Sequence, residues 1–199
     1  MKFQPFIAPK LLSQPPGSVC FGVPLQLSLI PESQAPLSFA LRLHDASRLH
    51  FDFRLQILNS LFSLVLFGPP SLDPARRVRA KLMADHDPHY LESEHVIPEG
   101  LPGAGPTIPV DLGKAVPIIK TYSTYEQEMP HQIARGDLGF KMNGQHLKGG
   151  WQLSSRDGEF WSLRKLGDEH ASTTRVLRLD RSVKTGNTLD DLRRHFSKA

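Results

Sequence analysis

The eleven residues His44-Asp45-Ala46-Ser47-Arg48-Leu49-His50-Phe51-Asp52-Phe53-Arg54 gather side chains that can bind a metal ion and an anion. Phe51, Phe53, Leu55 and Ile57 alternate with His50, Asp52, Arg54 and Gln56, a period of two that predicts a strand with one apolar face. Side chains two apart on a strand project to one face about 7 Å from each other, so His50, Asp52 and Arg54 form a polar row backed by the core. His44 ends the preceding element and can fold back toward that row. Two imidazoles and one carboxylate suit Mn²⁺, Zn²⁺ or Fe²⁺ and leave positions open for water and substrate, as a catalytic metal site requires. A second cluster, Asp85-His86-Asp87-Pro88-His89-Tyr90, places an imidazole and a phenol four residues apart in a Pro-containing turn. Hydrolysis of a phosphate ester needs its non-bridging oxygens neutralised and its leaving group stabilised. Arg, His and Tyr beside a metal are suited to that work.

The elements that must carry these residues read as strands and turns. Phe39, Leu41 and Leu43 alternate with Ala40, Arg42 and His44, which predicts a strand ahead of the cluster. Residues 61–67 form an apolar run that reads as a buried strand and is far too short to cross a bilayer. Gly68-Pro69-Pro70-Ser71 breaks the chain, and residues 73–77 read as a capped helical turn or a basic loop. The Gly and Pro density of residues 97–105 excludes a regular element and predicts a tight, shaped loop. Residues 122–133 read as a short helix interrupted at Pro130. Further strands are expected at 139–142, 150–154 and 160–165, with Asn143-Gly144 and Asp157-Gly158 as turn pairs.

A chain of 199 residues is long enough for one domain with its own core, and 17 Pro with 15 Gly favour strands and turns over a helical bundle. The expected organisation is an irregular Pro-rich arm at 1–36, one domain at 37–180 and a short basic tail with helical character at 181–199. The formal charge of +4 permits an anionic partner, and residues 141–199 carry twelve Lys/Arg against seven Asp/Glu, a surplus larger than that of the whole chain. Cys20 is the only cysteine, which rules out an intrachain disulfide and a cysteine-based zinc cluster and makes a reducing, intracellular setting the default. Prolines interrupt the first thirty residues, so no stretch there reads as a signal peptide or membrane span. A monomer without membrane association is expected.

The segment His44 to Leu55, HDASRLHFDFRL, resembles the signature of the phosphoesterase domain of bacterial DNA ligase D and its stand-alone relatives. Further matches follow in the family's order: Gly68-Pro69 with Ser71-Leu72-Asp73-Pro74, Asp85-His86 with Tyr90, Ile97-Pro98-Glu99-Gly100 with Gly103-Ala104-Gly105, and Leu147-Lys148-Gly149 with Trp151 and Trp161. The resemblance implies a mainly β chain, a compact β-barrel with few short helices. It implies manganese-dependent removal of a 3′-terminal ribonucleoside and then a 3′ phosphate from DNA ends before ligation, with Zn²⁺ or Co²⁺ as alternative ions. By motif position it makes His44, His50 and Asp52 the metal ligands. Arg54, His86 and Tyr90 then contact the scissile phosphate or assist the leaving group. DNA 3′ ends and a DNA ligase are the implied partners, in the cytoplasm of a bacterium or the nucleus of a eukaryote.

Departures from the pattern point to a second reading. Residues 1–36 contain no arginine, and Pro31-Glu32 is at best a remnant of an upstream motif. Leu64-Val65-Leu66-Phe67-Gly68-Pro69-Pro70 replaces a segment that usually contributes a Trp and a Lys, and Val78 stands where a basic residue is usual, flanked by Arg77 and Arg79. A catalytically impaired member that binds nucleic acid or a repair protein is the alternative these changes favour. A third reading takes His50-x-Asp52 with His86 or His146 as the facial triad of a non-haem iron oxygenase.

Overall fold

The computed structural model describes residues 35–57, 59–84, 88–119 and 121–196. The Pro-rich segment before residue 35, Cys20 and His86 lie outside the described residues.

Nine strands form one antiparallel sheet: β1 (Leu37–Asp45), β2 (Leu49–Ile57), β3 (Ser60–Leu66), β4 (Val78–Leu82), β5 (His95–Ile97), β6 (Gly105–Pro117), β7 (Asp137–Gly144), β8 (Lys148–Ser155) and β9 (Phe160–Lys165). Their order is β1-β2-β3-β4-β9-β8-β7-β6, and β6 pairs back onto β1, which closes an eight-stranded barrel. The expected mainly β barrel is what the chain forms. Closure removes the free edges that an open sheet would present. β6 is long enough to serve three neighbours: one edge pairs with β1, while the other pairs with β5 at its start and β7 at its end.

Alternation decides which side chains fill the barrel. Phe39 lies opposite Leu55, Leu41 opposite Phe53, and Phe53 in turn opposite Leu64, so successive strands present apolar residues to one interior. The interior continues through Ala80, Trp161, Leu163, Leu153, Trp151 and Phe140, all buried. Phe53 stacks on Phe140, with ring centroids 5.9 Å apart, across the middle of the barrel. The opposite parity of β1 and β2 sends Arg42, His44, Asp52 and Arg54 to the outer face. They are buried there as well, because the chain from 88 to 104 folds over them.

Two helices complete the fold. α1 (Tyr125–Arg135) runs through Pro130 without the interruption expected there, and ends at Gly136, whose left-handed φ of 66° directs its N–H back to Gln132 and Ile133. Within α1 the buried Glu128 accepts from the backbone N–H groups of Thr121 and Tyr122, which secures the approach to the helix. α2 (Leu189–Phe196) docks Leu189 and Leu192 on the core, and Arg193 pairs with Asp45 at the end of β1. Residues 73–77 form a loop in which Asp73 accepts from Ala75, not a helix. Asn143-Gly144 belongs to β7, and the turn follows at 145–146, with the Gly144 N–H bonded to the Leu147 carbonyl. No helix among the described residues is long and apolar enough to cross a membrane.

That β7–β8 turn hangs on one buried carboxylate. Asp111 of β6 accepts from the N–H groups of Gln145, His146 and Leu147 at 2.7–3.2 Å. A Cβ on Gly144 would come within 2.6 Å of it, so glycine is required there. Asp111→Ala leaves those donors unpaired and is expected to lower unfolding stability by roughly 2–4 kcal/mol in a denaturant titration, without changing metal affinity of the folded protein.

Candidate metal centre

The ladder between β1 and β2 builds the site. His44 faces His50 directly across the pair, and their rings lie 4.8 Å apart. Asp52 follows on the same face as His50, two residues along β2. Its carboxylate oxygens lie 3.6 Å from His44 Nδ1 and 3.3 Å from His50 Nε2. One ligand atom from each residue lies within 4.8 Å of the others, so the three side chains can hold a metal ion together.

The remaining ring nitrogens decide what this space is for. His44 Nε2 lies 2.8 Å from the Gly103 carbonyl, and His50 Nδ1 lies 2.8 Å from the Arg48 carbonyl. A carbonyl can only accept, so the nitrogen that faces it carries the proton. In the neutral rings, His44 Nδ1 and His50 Nε2 are then lone-pair acceptors, both turned toward the Asp52 carboxylate. Three acceptors converging on one point fit a cation. Without one, a proton takes its place: the hydrogen bond to Asp52 raises His50 above its ordinary pKa. Burial pushes Asp52 upward, but hydrogen bonds from His44 and His50 and the charge of Arg54 outweigh it, and the carboxyl sits well below the usual carboxylate range.

The loop read from sequence as tight and shaped supplies one of those carbonyls. Gly103 has φ 77°, and a Cβ there would meet His44 Cε1 at 3.4 Å. Two residues on, a Cβ on Gly105 would lie 1.9 Å from the Asp45 carbonyl oxygen, so only glycine lets the loop close on the end of β1. Gly103-Ala104-Gly105 therefore positions the His44 ring.

Around this set lie two buried guanidinium groups. Arg54 donates from Nη2 to Asp52 at 3.2 Å and from Nη1 to the Tyr90 carbonyl at 2.9 Å, and its buried Nε has no acceptor among the described residues. Arg42 is fully buried and donates to Thr107 Oγ1, the Leu91 carbonyl and the Ser93 carbonyl. Burial and the neighbouring Arg54 lower its pKa to about 10. The Tyr90 ring is 44% exposed at the rim, in the 3-10 turn Pro88–Leu91. The third residue beside His50 and Asp52 is His44, whereas His146 lies in the β7–β8 turn, tied to Asp111. Val78 packs against the barrel core, while Arg77 and Arg79 are exposed beside it.

Sequence reading missed Arg42 and His95. Arg42 shares the strand parity of His44, a signal that was present. His95 becomes visible only through pairing: it lies opposite Thr107, which lies opposite His44.

Residues 42–155 match the model of the DNA ligase D 3′-phosphoesterase domain. The chain belongs to this family. Among similar proteins, the multifunctional non-homologous end joining protein LigD of Pseudomonas aeruginosa is 35% identical over 122 residues, 61% of this chain and 14% of that protein. The LigD proteins of Mycolicibacterium smegmatis and Mycobacterium tuberculosis are 26% and 30% identical over 148 and 135 residues, 70% and 66% of this chain and 18% and 16% of those proteins. The chain thus spans less than a fifth of the length of each of these three. The family match takes in the metal set, Arg54 and Tyr90 and ends with β8, leaving β9 and α2 beyond it.

The ligand set makes a direct prediction. His50→Ala and Asp52→Ala should each weaken Mn²⁺ binding in a calorimetric titration by at least about 100-fold, since even loss of a supporting partner costs 10- to 100-fold. The near-ultraviolet circular dichroism should persist, because both side chains face away from the barrel interior. Wild-type affinity in both variants would remove the assignment.

Proposed function

We propose that this chain is a metal-dependent phosphoesterase that trims a 3′-terminal phosphate or ribonucleotide from DNA ends in strand-break repair by end joining. Family membership supports the reaction class. The observation that carries the reading is the pre-set trio of acceptors on His44, His50 and Asp52 beside a buried arginine with an unused N–H.

A bound divalent ion, Mn²⁺ in this reading, supplies positive charge to the phosphoryl oxygens. His44, His50 and Asp52 hold it and fix its place. Arg54, anchored at both ends of its fork, aims Nε at a phosphate oxygen and keeps Asp52 ionised. Tyr90 and His86, four residues apart in sequence, contact the phosphate or assist the leaving oxygen. The partners proposed are DNA 3′ ends and a DNA ligase; Zn²⁺ and Co²⁺ are alternative ions.

Val78, packed against the core where the family usually has a basic residue, and the absent Lys after β3 favour the second reading, a member that binds nucleic acid or a repair protein with little turnover. One experiment separates them: single-turnover cleavage of a 3′-phosphorylated oligonucleotide with added Mn²⁺. The proposal expects metal-dependent release of phosphate. It also expects His86→Ala to keep Mn²⁺ affinity while losing about 10²- to 10⁴-fold in rate, the range for a general acid or base. Metal binding without any cleavage by the wild type would favour the binding module.

A further inference from the structure

The row of side chains that holds the metal set does not end at His44. Register carries it across four adjacent strands: His50 of β2 faces His44 of β1, His44 faces Thr107 of β6, and Thr107 faces His95 of β5. Directly paired residues project to the same face, so His95 looks out from the same outer surface as the two histidines of the metal set. Adjacent strands are about 4.8 Å apart, which places His95 about 10 Å from His44, backbone to backbone.

The surroundings of His95 are built. Arg42 donates to Thr107 on one side of it and to the Leu91 and Ser93 carbonyls on the other, so one buried guanidinium fixes the strand and the approach to it. Ser93 Oγ lies 3.0 Å from His95 Nδ1, and the Tyr90 ring packs 5.6 Å from the imidazole. Arg54, which carries the unused Nε, holds the Tyr90 carbonyl. The guanidinium groups of Arg42 and Arg54 face the carboxylates of Asp52 and Glu94, both of which act on Arg42. Glu94 also accepts from the Ser182 and Thr185 hydroxyls.

We propose that His95 is a further substrate-contacting residue of this site, whose Nε2–H donates to a non-bridging oxygen of the phosphate presented to His44, His50 and Asp52. The inference rests on the phosphoesterase reading. In this proposal Ser93 Oγ, 3.0 Å from Nδ1, gives its hydroxyl proton to that nitrogen, and the proton of the neutral ring sits on Nε2. Burial, reinforced by Arg42, Arg54 and His44, lowers the His95 pKa to about 4, so the ring is a neutral donor at physiological pH. A fixed neutral donor aimed at developing charge stabilises a transition state without giving up its proton.

The test uses the full chain and the variants His95→Ala, His95→Gln and Ser93→Ala. Each is measured for Mn²⁺ affinity, for inorganic phosphate affinity of the Mn²⁺-loaded protein, and for single-turnover cleavage of a 3′-phosphorylated oligonucleotide. His95→Ala is expected to keep Mn²⁺ affinity, weaken inorganic phosphate and slow cleavage by about 10²-fold, the usual loss for one such donor. His95→Gln, which retains an N–H, should recover part of both, and Ser93→Ala should show a smaller loss of the same kind. Wild-type phosphate affinity and rate in His95→Ala would overturn the inference, as would a parallel loss of Mn²⁺ affinity, which would make His95 a support of the metal set. If the wild type cleaves nothing, the phosphoesterase reading fails. The phosphate titration then decides on its own, and equal affinity in wild type and His95→Ala rejects the contact.

Discussion

Two backbone carbonyls, those of Arg48 and Gly103, govern this site. Each takes the proton-bearing nitrogen of one imidazole and so turns the other nitrogen, as a lone pair, toward Asp52. Side-chain partners could rotate away or titrate, but a carbonyl held by a tight turn does neither. The β1–β2 turn supplies the first, and the glycine loop before β6 supplies the second. Both turns are fixed in turn by the barrel, since β1 pairs with β2 on one side and β6 on the other.

The price of this arrangement is a polar outer face that must be covered. Arg42 and Arg54 meet it by reaching out of β1 and β2 to backbone carbonyls of residues 90–93, which draws that segment over the face. Buried guanidinium groups are costly unless hydrogen-bonded, and each of the three nitrogens of Arg42 has an acceptor. Arg54 leaves its buried Nε without an acceptor among the described residues. That cationic donor favours an anion at the same place where three acceptors favour a cation. A phosphate ester with a divalent ion answers both demands.

Much of the candidate site was legible because strand parity is local. His50, Asp52 and Arg54 announce their common face through the alternation with Phe51, Phe53 and Leu55, and His44 needed only the matching parity of β1. What escaped reading depends on long-range pairing. His95 joins the row only because β5 pairs with β6 and β6 with β1, and the second of these pairings sets His44 opposite a residue 63 positions away in sequence, which no local pattern encodes. Gly103 was visible as a turn former, but its carbonyl's partner was not. Pro130 misled in the opposite direction: α1 tolerates it because packing of Met129 and the hydrogen bonds of Glu128 and Gln132 outweigh one lost backbone bond. Asn143-Gly144 misled by two residues because Asp111 and the crowding at Gly144 set the turn at 145–146, not the dipeptide's own preference.

The central claim is that the carbonyl-locked histidines and Asp52 form one metal centre. Pulsed electron paramagnetic resonance on the chain loaded with one equivalent of Mn²⁺ tests it most directly, because nitrogen bonded to the ion leaves a hyperfine signature. The account predicts two coordinated imidazole nitrogens, falling to one in His44→Ala. A Mn²⁺ signal with no nitrogen coupling, or one unchanged by His44→Ala, would contradict it.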